Sequence, residues 1–584
     1  KRGAEALRFG LQMKRKGYNI YVSGIGGTGR SSFTNSLAEE FAREQPVPSD
    51  WVYVYNFNRK ESPKALRLEP GTGGKFKEVI ETTIERLRKK IPEDFVSMEY
   101  ITRKSDLVRL TNQKKNDILK KLNEKAGEYG FIYTLTEDGL LSIPTVDNRP
   151  MNEDEYQDLD IEEREAMLTR YNELQLSTFK DFSELREAEE ELGLNINELE
   201  RLIAYETVHF DIKKIIELYL DNQNVVEYLN ELELNILDNL AKFKKKDDAK
   251  NFTLFEVPKE MEDNFFIRYK VNLFVDNSSL RYAPIINESN PIYNNLVGTI
   301  EFKNQMGVLV TDFTQIKPGS LHLANGGYLI FQMREILNNP ISWEMLKRAL
   351  KTDEINIDSQ NKLLGVAVSS NMKPEPIPLD IKIIIIGDEY TYSMLYAYDE
   401  DFQKLFKVMA AFDIEMKMDE NNIYLMAEFI AGYCEENNLK HFTKEAVAKV
   451  VQYSTRLADH KEKLSIRFNK IVEILYEADF GAHKENDFIT HLHVQSAIDE
   501  KIYRSNKYEE KLNEMFLDGT ILMDLEGEKV GQINGLAIMG TGEYSFGKPS
   551  RITATVYSGE EGIINFEREA KQSGSIYDKG VLIL

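Results

Sequence analysis

The stretch that most constrains this chain is Gly24-Ile-Gly-Gly-Thr-Gly-Arg-Ser31. It stands between an apolar run, Tyr18-Asn-Ile-Tyr-Val22, that reads as a buried strand, and Phe33–Arg43, which reads as a helix. Gly24 and Gly29 have the spacing of a phosphate-binding loop, G-x-x-x-x-G-K-[ST]. Glycines there let backbone N–H groups turn inward around phosphate oxygens, and the helix N-terminus adds partial positive charge. Gly24, Gly26, Gly27, Thr28, Gly29, Arg30, Ser31 and Ser32 are the candidate nucleotide-binding residues. One position departs from the pattern: Arg30 stands where the lysine that reaches the β- and γ-phosphates belongs. Arginine keeps the charge, but its planar fork is wider, so the exchange is not conservative at a fitted site. Ser31 holds the place of the magnesium-binding hydroxyl.

Strand, loop, helix and a second strand at Trp51–Tyr55 predict a parallel sheet with helices on its faces, so residues 1–75 read as the first part of an α/β module. From 76 to 255 glycine becomes scarce and Glu, Lys, Leu and Ile dominate. Apolar residues at 3–4 spacing predict helices over Lys75–Lys90, Ser105–Tyr129, Glu153–Arg170, Glu184–Tyr205, Ile212–Leu220 and Val225–Phe243. The region reads as a helical, partly coiled-coil insertion whose charge runs are solvated faces. Within it, Phe131–Thr134 and Leu140–Ile143 read as a hairpin turning at Glu137-Asp-Gly139, and Lys244-Lys-Lys246 as a loop.

The α/β module resumes over 256–415, with a helix at Ile336–Leu350 and a buried strand at Ile381–Asp388. Ligands of open parallel sheets sit at the carboxyl ends of the strands. If these strands neighbour the loop strand, Gln332, Gly387 and Asp388 lie beside the phosphate loop. Residues 416–508 read as an all-α domain. From 509 to 584 the pattern turns to strands, among them Thr520–Met523, Arg551–Val556, Gly562–Phe566 and Gly580–Leu584.

Length and charge narrow the partners. A chain of 584 residues holds several domains. A net charge of −23 argues against a general nucleic-acid surface. The single cysteine, Cys434, allows no internal disulfide and fits a reducing compartment. The histidines show no metal-ligand spacing, so no metal site is expected from protein ligands alone. No apolar run reaches the ~18 residues of a membrane span. The chain opens inside a helix-like segment and closes inside a strand-like one, which reads as part of a longer protein.

Taken in order, several segments resemble the Lon-like AAA+ serine proteases, in the bacterial branch whose ATPase module carries a long helical insertion. They include the loop itself, Thr311-Asp-Phe-Thr314, Gly319–Leu329, Trp343–Leu350 and Asp401–Lys407. Lys463–Phe468, Gly531–Leu536, Pro549–Thr553 and Lys579–Leu584 extend the match towards the end of the chain. The resemblance implies an AAA+ module, a helical lid at 416–508 and the beginning of an α+β Lon protease domain at 509–584. It also implies a cytoplasmic, homo-oligomeric ring, usually a hexamer, that feeds unfolded protein into a chamber. There a serine nucleophile with a lysine base would cut it. The family places both residues after the segment matching Lys579–Leu584, so no catalytic residue is expected here, and Ser573 and Lys579 are not nominated.

Two departures bear on ATP and Mg²⁺, the cofactors the module implies. Where hydrolysing members end a strand in an acidic residue, this chain has Gln332, with Met333 after it and Phe331 before. Gln carries no charge to hold a hard cation. Arg30 is the second departure. Asp388 matches a sensor position and Arg467 the lid arginine, while Gln403 and Lys404 occupy the stretch where an arginine finger belongs. Tyr282 and Phe302 are the aromatic candidates for a substrate-gripping loop, against a plain packing role. The expectation is a Lon-like peptidase with an AAA+ tier that hydrolyses ATP weakly or not at all, as in the ATP-independent Lon-like group. A fully ATP-dependent Lon-type protease and a non-proteolytic AAA+ chaperone or scaffold are the alternatives.

Overall fold

The computed structural model describes residues 2–136, 139–146, 149–152, 155, 159–244, 264–305, 308–357, 372–482, 487–542, 544–560, 562–571 and 574–583. The turn at Glu137-Asp138, Lys245, Lys246 and Ser573 lie outside them. Contacts divide the chain into two compact units, Lys1–Gly24 with Arg30–Phe412, and Ile25–Gly29 with Asp413–Leu584.

The first unit is built on a five-stranded sheet in the order Val408–Ala411, Ile20–Ser23, Lys382–Gly387, Tyr328–Gln332, Ile285–Glu288. Every pairing in it is parallel. A parallel sheet is covered on both faces, so its strands read as unbroken apolar runs. Alternate residues of Ile383–Ile386 accordingly enter two different buried cores. The loop strand thus has Lys382–Gly387 as a direct neighbour, with Tyr328–Gln332 one strand further out.

The second strand expected in that sheet is elsewhere. Asp50–Val54 pairs antiparallel with Lys64–Leu68 and with Val271–Val275 in a separate sheet. The loop 55–63 is shorter than the dozen or so residues a parallel crossover needs, so the next strand folds back as a hairpin. Val52, Leu66 and Val271 share a core with Phe76 and Ile80 of helix Gly73–Asp94, and with Ile212 and Tyr228. This sheet packs with the helical region.

Three helices expected between 153 and 220 are one helix, Ile161–Leu218, of 58 residues. That is about 87 Å at 1.5 Å per residue. No proline interrupts it, and Gly193 alone does not break it. Asp160 starts it with a capping box to Glu163. Helix Met98–Glu128 runs antiparallel to it over a small core of Ile118, Leu122, Ala126 and Leu174. Exposed pairs Lys114–Glu191 at 2.7 Å and Lys115–Glu189 at 2.5 Å place the charge runs on solvated faces. The helix expected at Ile336–Leu350 is split into Met333–Leu337 and Pro340–Thr352, because Pro340 has no N–H to continue the first and suits the start of the second.

In the second unit, helices Glu420–Glu436, Lys444–Leu457, Phe468–Ala482 and His491–Ser505 enclose one core, including Ile430, Val450, Ile474 and Val494. Gln532–Gly540 and Ser545–Thr553 then form an antiparallel hairpin. Thr520–Met523 and Ile563–Asn565 are not strands, and Ser575–Ile583 is a helix where a strand was expected. A short apolar run does not by itself distinguish strand from helix.

Candidate nucleotide site

Glycine at 24, 27 and 29 is required by the backbone. Their φ angles are +149°, +85° and +76°, in a region that side chains with a Cβ avoid. Thr28 is buried, and its hydroxyl donates to the Ile25 carbonyl at 2.9 Å, so it serves the loop's own shape. Ile25, Gly26, Gly27, Ser31 and Ser32 are exposed.

Within the first unit, one carbonyl organises the base of the loop. Gly387 accepts the Gly24 N–H at 3.2 Å and also a guanidinium N–H from Arg30. The neighbouring Asp388 carbonyl accepts the Tyr21 hydroxyl at 2.8 Å. Burial pushes the Arg30 guanidinium down, with Tyr21 and Asp388 opposing, and burial pushes the Tyr21 phenol up. Arg30 is therefore fastened to the carboxyl end of strand Lys382–Gly387. The sequence pattern marked Arg30 but not its partner, and Tyr21 was missed. Its one signal is its place in a strand ending at the loop.

Asp388 is also engaged. Its carboxylate accepts the Thr391 N–H at 2.7 Å and the Thr391 hydroxyl at 2.8 Å, capping helix Glu389–Tyr398. Burial pushes this carboxyl up, but the Thr391 bonds outweigh it and hold it below the usual range. Gln332 ends its strand exposed, and its amide nitrogen lies 3.5 Å from the Ser31 hydroxyl, at the limit of a hydrogen bond. Phe331 and Met333 on either side of it belong to the buried core. The structure thus brings Arg30 to Gly387 and Ser31 to Gln332, and the second pair is neutral.

Within the second unit, the loop tip meets the start of helix Phe468–Ala482. The Asn469 N–H donates to the Gly27 carbonyl at 3.2 Å. A Cβ on Gly27 would lie 2.0 Å from Asn469 Oδ1, and one on Gly29 would lie 3.6 Å from the Phe468 ring. Arg467 precedes that helix, its N–H donating to Ser465 Oγ at 3.3 Å. Asn469 was missed by sequence reasoning. A polar residue two places after Arg467 in a first helical turn is the signal that could have found it.

Other candidates lie apart. Gln403 donates its amide to the Tyr396 carbonyl at 2.5 Å. Lys404 is exposed. Tyr282 packs on a buried core and reaches Glu39 at 3.4 Å, and Phe302 is half-buried. Among the described residues, no group of three or more His, Cys, Asp or Glu side chains could hold a metal ion. Among them, too, no helix is long and apolar enough to cross a membrane.

Residues 281–413 match the LonB-like AAA domain family, and residues 441–504 the archaeal LonB AAA+ ATPase lid domain. Residues 50–83 match the Lon-like LonC helical domain. Over these segments the chain is similar to Lon-like AAA+ proteins. Its parallel sheet and helical lid are those of an AAA+ module, a nucleotide-binding fold. The chain is 25% identical over 280 residues to a putative Lon protease homolog of Escherichia coli (strain K12), covering 46% of this chain and 45% of the relative. It is 22% identical over 299 residues to an archaeal Lon protease of Thermococcus kodakarensis, covering 50% and 46%. The chain spans less than half the length of these relatives. A solved structure of NtrX from Brucella abortus overlaps 40% of this chain and 46% of its own, at 14% identity and a TM-score of 0.25, and carries no argument.

Proposed function

We propose that this chain is the AAA+ part of a Lon-like serine peptidase that degrades unfolded or damaged polypeptides in a ring chamber. In this reading the AAA+ tier is mainly scaffold and gate, with weak or no ATP hydrolysis. The observation that carries it is the paired departure at the loop: Arg30 is fastened to the Gly387 carbonyl, and Ser31 faces the neutral Gln332. A hard cation beside phosphates needs a carboxylate to hold it, and Gln supplies none. Asp388, on the adjacent strand, is committed to its helix cap. The donor set does not fit Mg²⁺. The loop N–H groups and Arg467 remain as the groups that would hold a nucleotide without metal.

The helices of 76–255 act as an inserted domain, 509–584 begins the protease domain, and the serine–lysine pair lies outside this chain. The ring is a cytoplasmic hexamer. Such an enzyme degrades loosely folded chains and spares stable domains, because unfolding one opposes about 5–15 kcal/mol that nothing here drives.

Phosphate release from ATP–Mg²⁺, measured on the purified full-length enzyme with and without casein, tests this. The expected result is casein cleavage with no casein-stimulated turnover. Stimulated turnover at ordinary AAA+ rates would overturn the reading in favour of an ATP-dependent protease. Absence of any cleavage would favour the chaperone.

A further inference from the structure

A second site lies at the opposite edge of the same sheet. The amino ends of strands Tyr328–Gln332 and Lys382–Gly387 border a cavity of about 420 Å³. That lies within the roughly 300–1,000 Å³ of small-molecule sites. Four cations line it, Lys14, Arg15, Lys16 and Lys382, against two carboxylates, Asp353 and Asp380. In a chain of net charge −23 this is a local reversal of sign.

The cations differ in what they already hold. Lys16 is paired with Asp353 at 2.5 Å. Lys382 donates to the carbonyls of Met13 at 2.5 Å and Tyr18 at 2.9 Å. An ammonium has three donors, so one remains. Those two bonds pin the segment that carries Lys14 and Arg15, whose exposed side chains have no acidic partner among the described residues. Tyr328 accepts the Gln45 amide at 2.7 Å on its hydroxyl, which leaves the hydroxyl hydrogen to donate. The remaining wall includes Leu11, Leu350, Leu379 and Leu405. Cations and leucine side chains lining one cavity suit a molecule with an anionic and an apolar part. A polymer would need a basic stripe rather than a pit.

We propose that this cavity binds a small phosphate-bearing ligand of mononucleotide size. The phosphate lies against Lys14, Arg15 and Lys382, and the apolar part against the leucine wall. The site is separate from the phosphate loop, which stands at the carboxyl ends of the same strands.

Calorimetry with AMP and with inorganic phosphate tests it on the purified protein, beside the charge-reversed pair Lys14→Glu/Arg15→Glu and the loop variant Ser31→Ala. AMP is expected to bind at least tenfold more tightly than phosphate. The charge-reversed protein should lose at least tenfold in AMP affinity, and Ser31→Ala should bind as the parent does. A thermal melt checks that the charge-reversed protein is folded, and Lys14→Gln/Arg15→Gln replaces it if it is not. Three results would overturn the site: no binding of either probe, AMP binding unchanged by the loss of Lys14 and Arg15, or AMP binding abolished by Ser31→Ala.

Discussion

At the carboxyl edge of the parallel sheet, Arg30 donates to the Gly387 carbonyl; at the amino edge, Lys382 donates to the carbonyls of Met13 and Tyr18. Both cations tie a loop to the same strand, one at each end. The consequence differs. Arg30 is the motif's own phosphate-reaching residue, and the tie turns it to structural work. Lys382 belongs to no motif, and its tie presents Lys14 and Arg15 at a cavity mouth. A basic residue's place in a pattern says less about its role than the acceptors its N–H groups find.

The strongest way to break this contrast is to restore the loop. Arg30→Lys combined with Gln332→Glu returns both the compact ammonium and the missing carboxylate. Phosphate release is expected to rise at least tenfold over the parent, with neither single change sufficient, since charge stabilisation in phosphoryl transfer needs metal and lysine together. A double variant as inactive as the parent would place the defect elsewhere.

The structural ties come next. Lys382→Met removes the shared donor of two carbonyls and should cost about 1–3 kcal/mol in urea unfolding. Tyr21→Phe removes the one bond to the Asp388 carbonyl and should cost about 0.5–1.5 kcal/mol by the same measurement. If the order is reversed, the amino edge is not held by Lys382.

The same lysine also makes stability depend on pH. Burial lowers the Lys382 ammonium to about 8, partly opposed by Asp380, against an ordinary value of 10.5. Between those values the unfolded chain binds more protons than the folded one, so stability should rise as pH rises from about 8 towards 10.5. Below about 8 both states are protonated and the burial cost is present in full. Urea midpoints across that range should show the rise in the parent and lose it in Lys382→Met.

Much of the AAA+ core was readable in advance. Ile383–Ile386 is apolar at every position because both faces of its strand are covered, and the glycine spacing of 24–29 matches the positive φ angles found there. The proximity of Gln332 and Gly387 to the loop followed from strand order, and the sheet has that order. The failures were of partner and length. Trp51 and Val52 have the composition of a strand in any sheet, and only the short loop before Lys64 selects the antiparallel one. The long helix reads as several, because Thr178, Asp181 and Asp211 take buried positions on its packed face and interrupt the apolar spacing. Asn469 could not be assigned to Gly27 because the contact joins residues more than 400 apart in the chain.

By itself the sequence determined the chemistry available at the loop: glycines where the backbone needs positive φ, a guanidinium in place of an ammonium, and an amide in place of a carboxylate. These are properties of single positions in a local pattern. Only the tertiary structure decided where the long side chains ended. Arg30 and Lys382 carry several donors on flexible stems, and which of many acceptors each meets depends on strand neighbours and loop paths that no local pattern records.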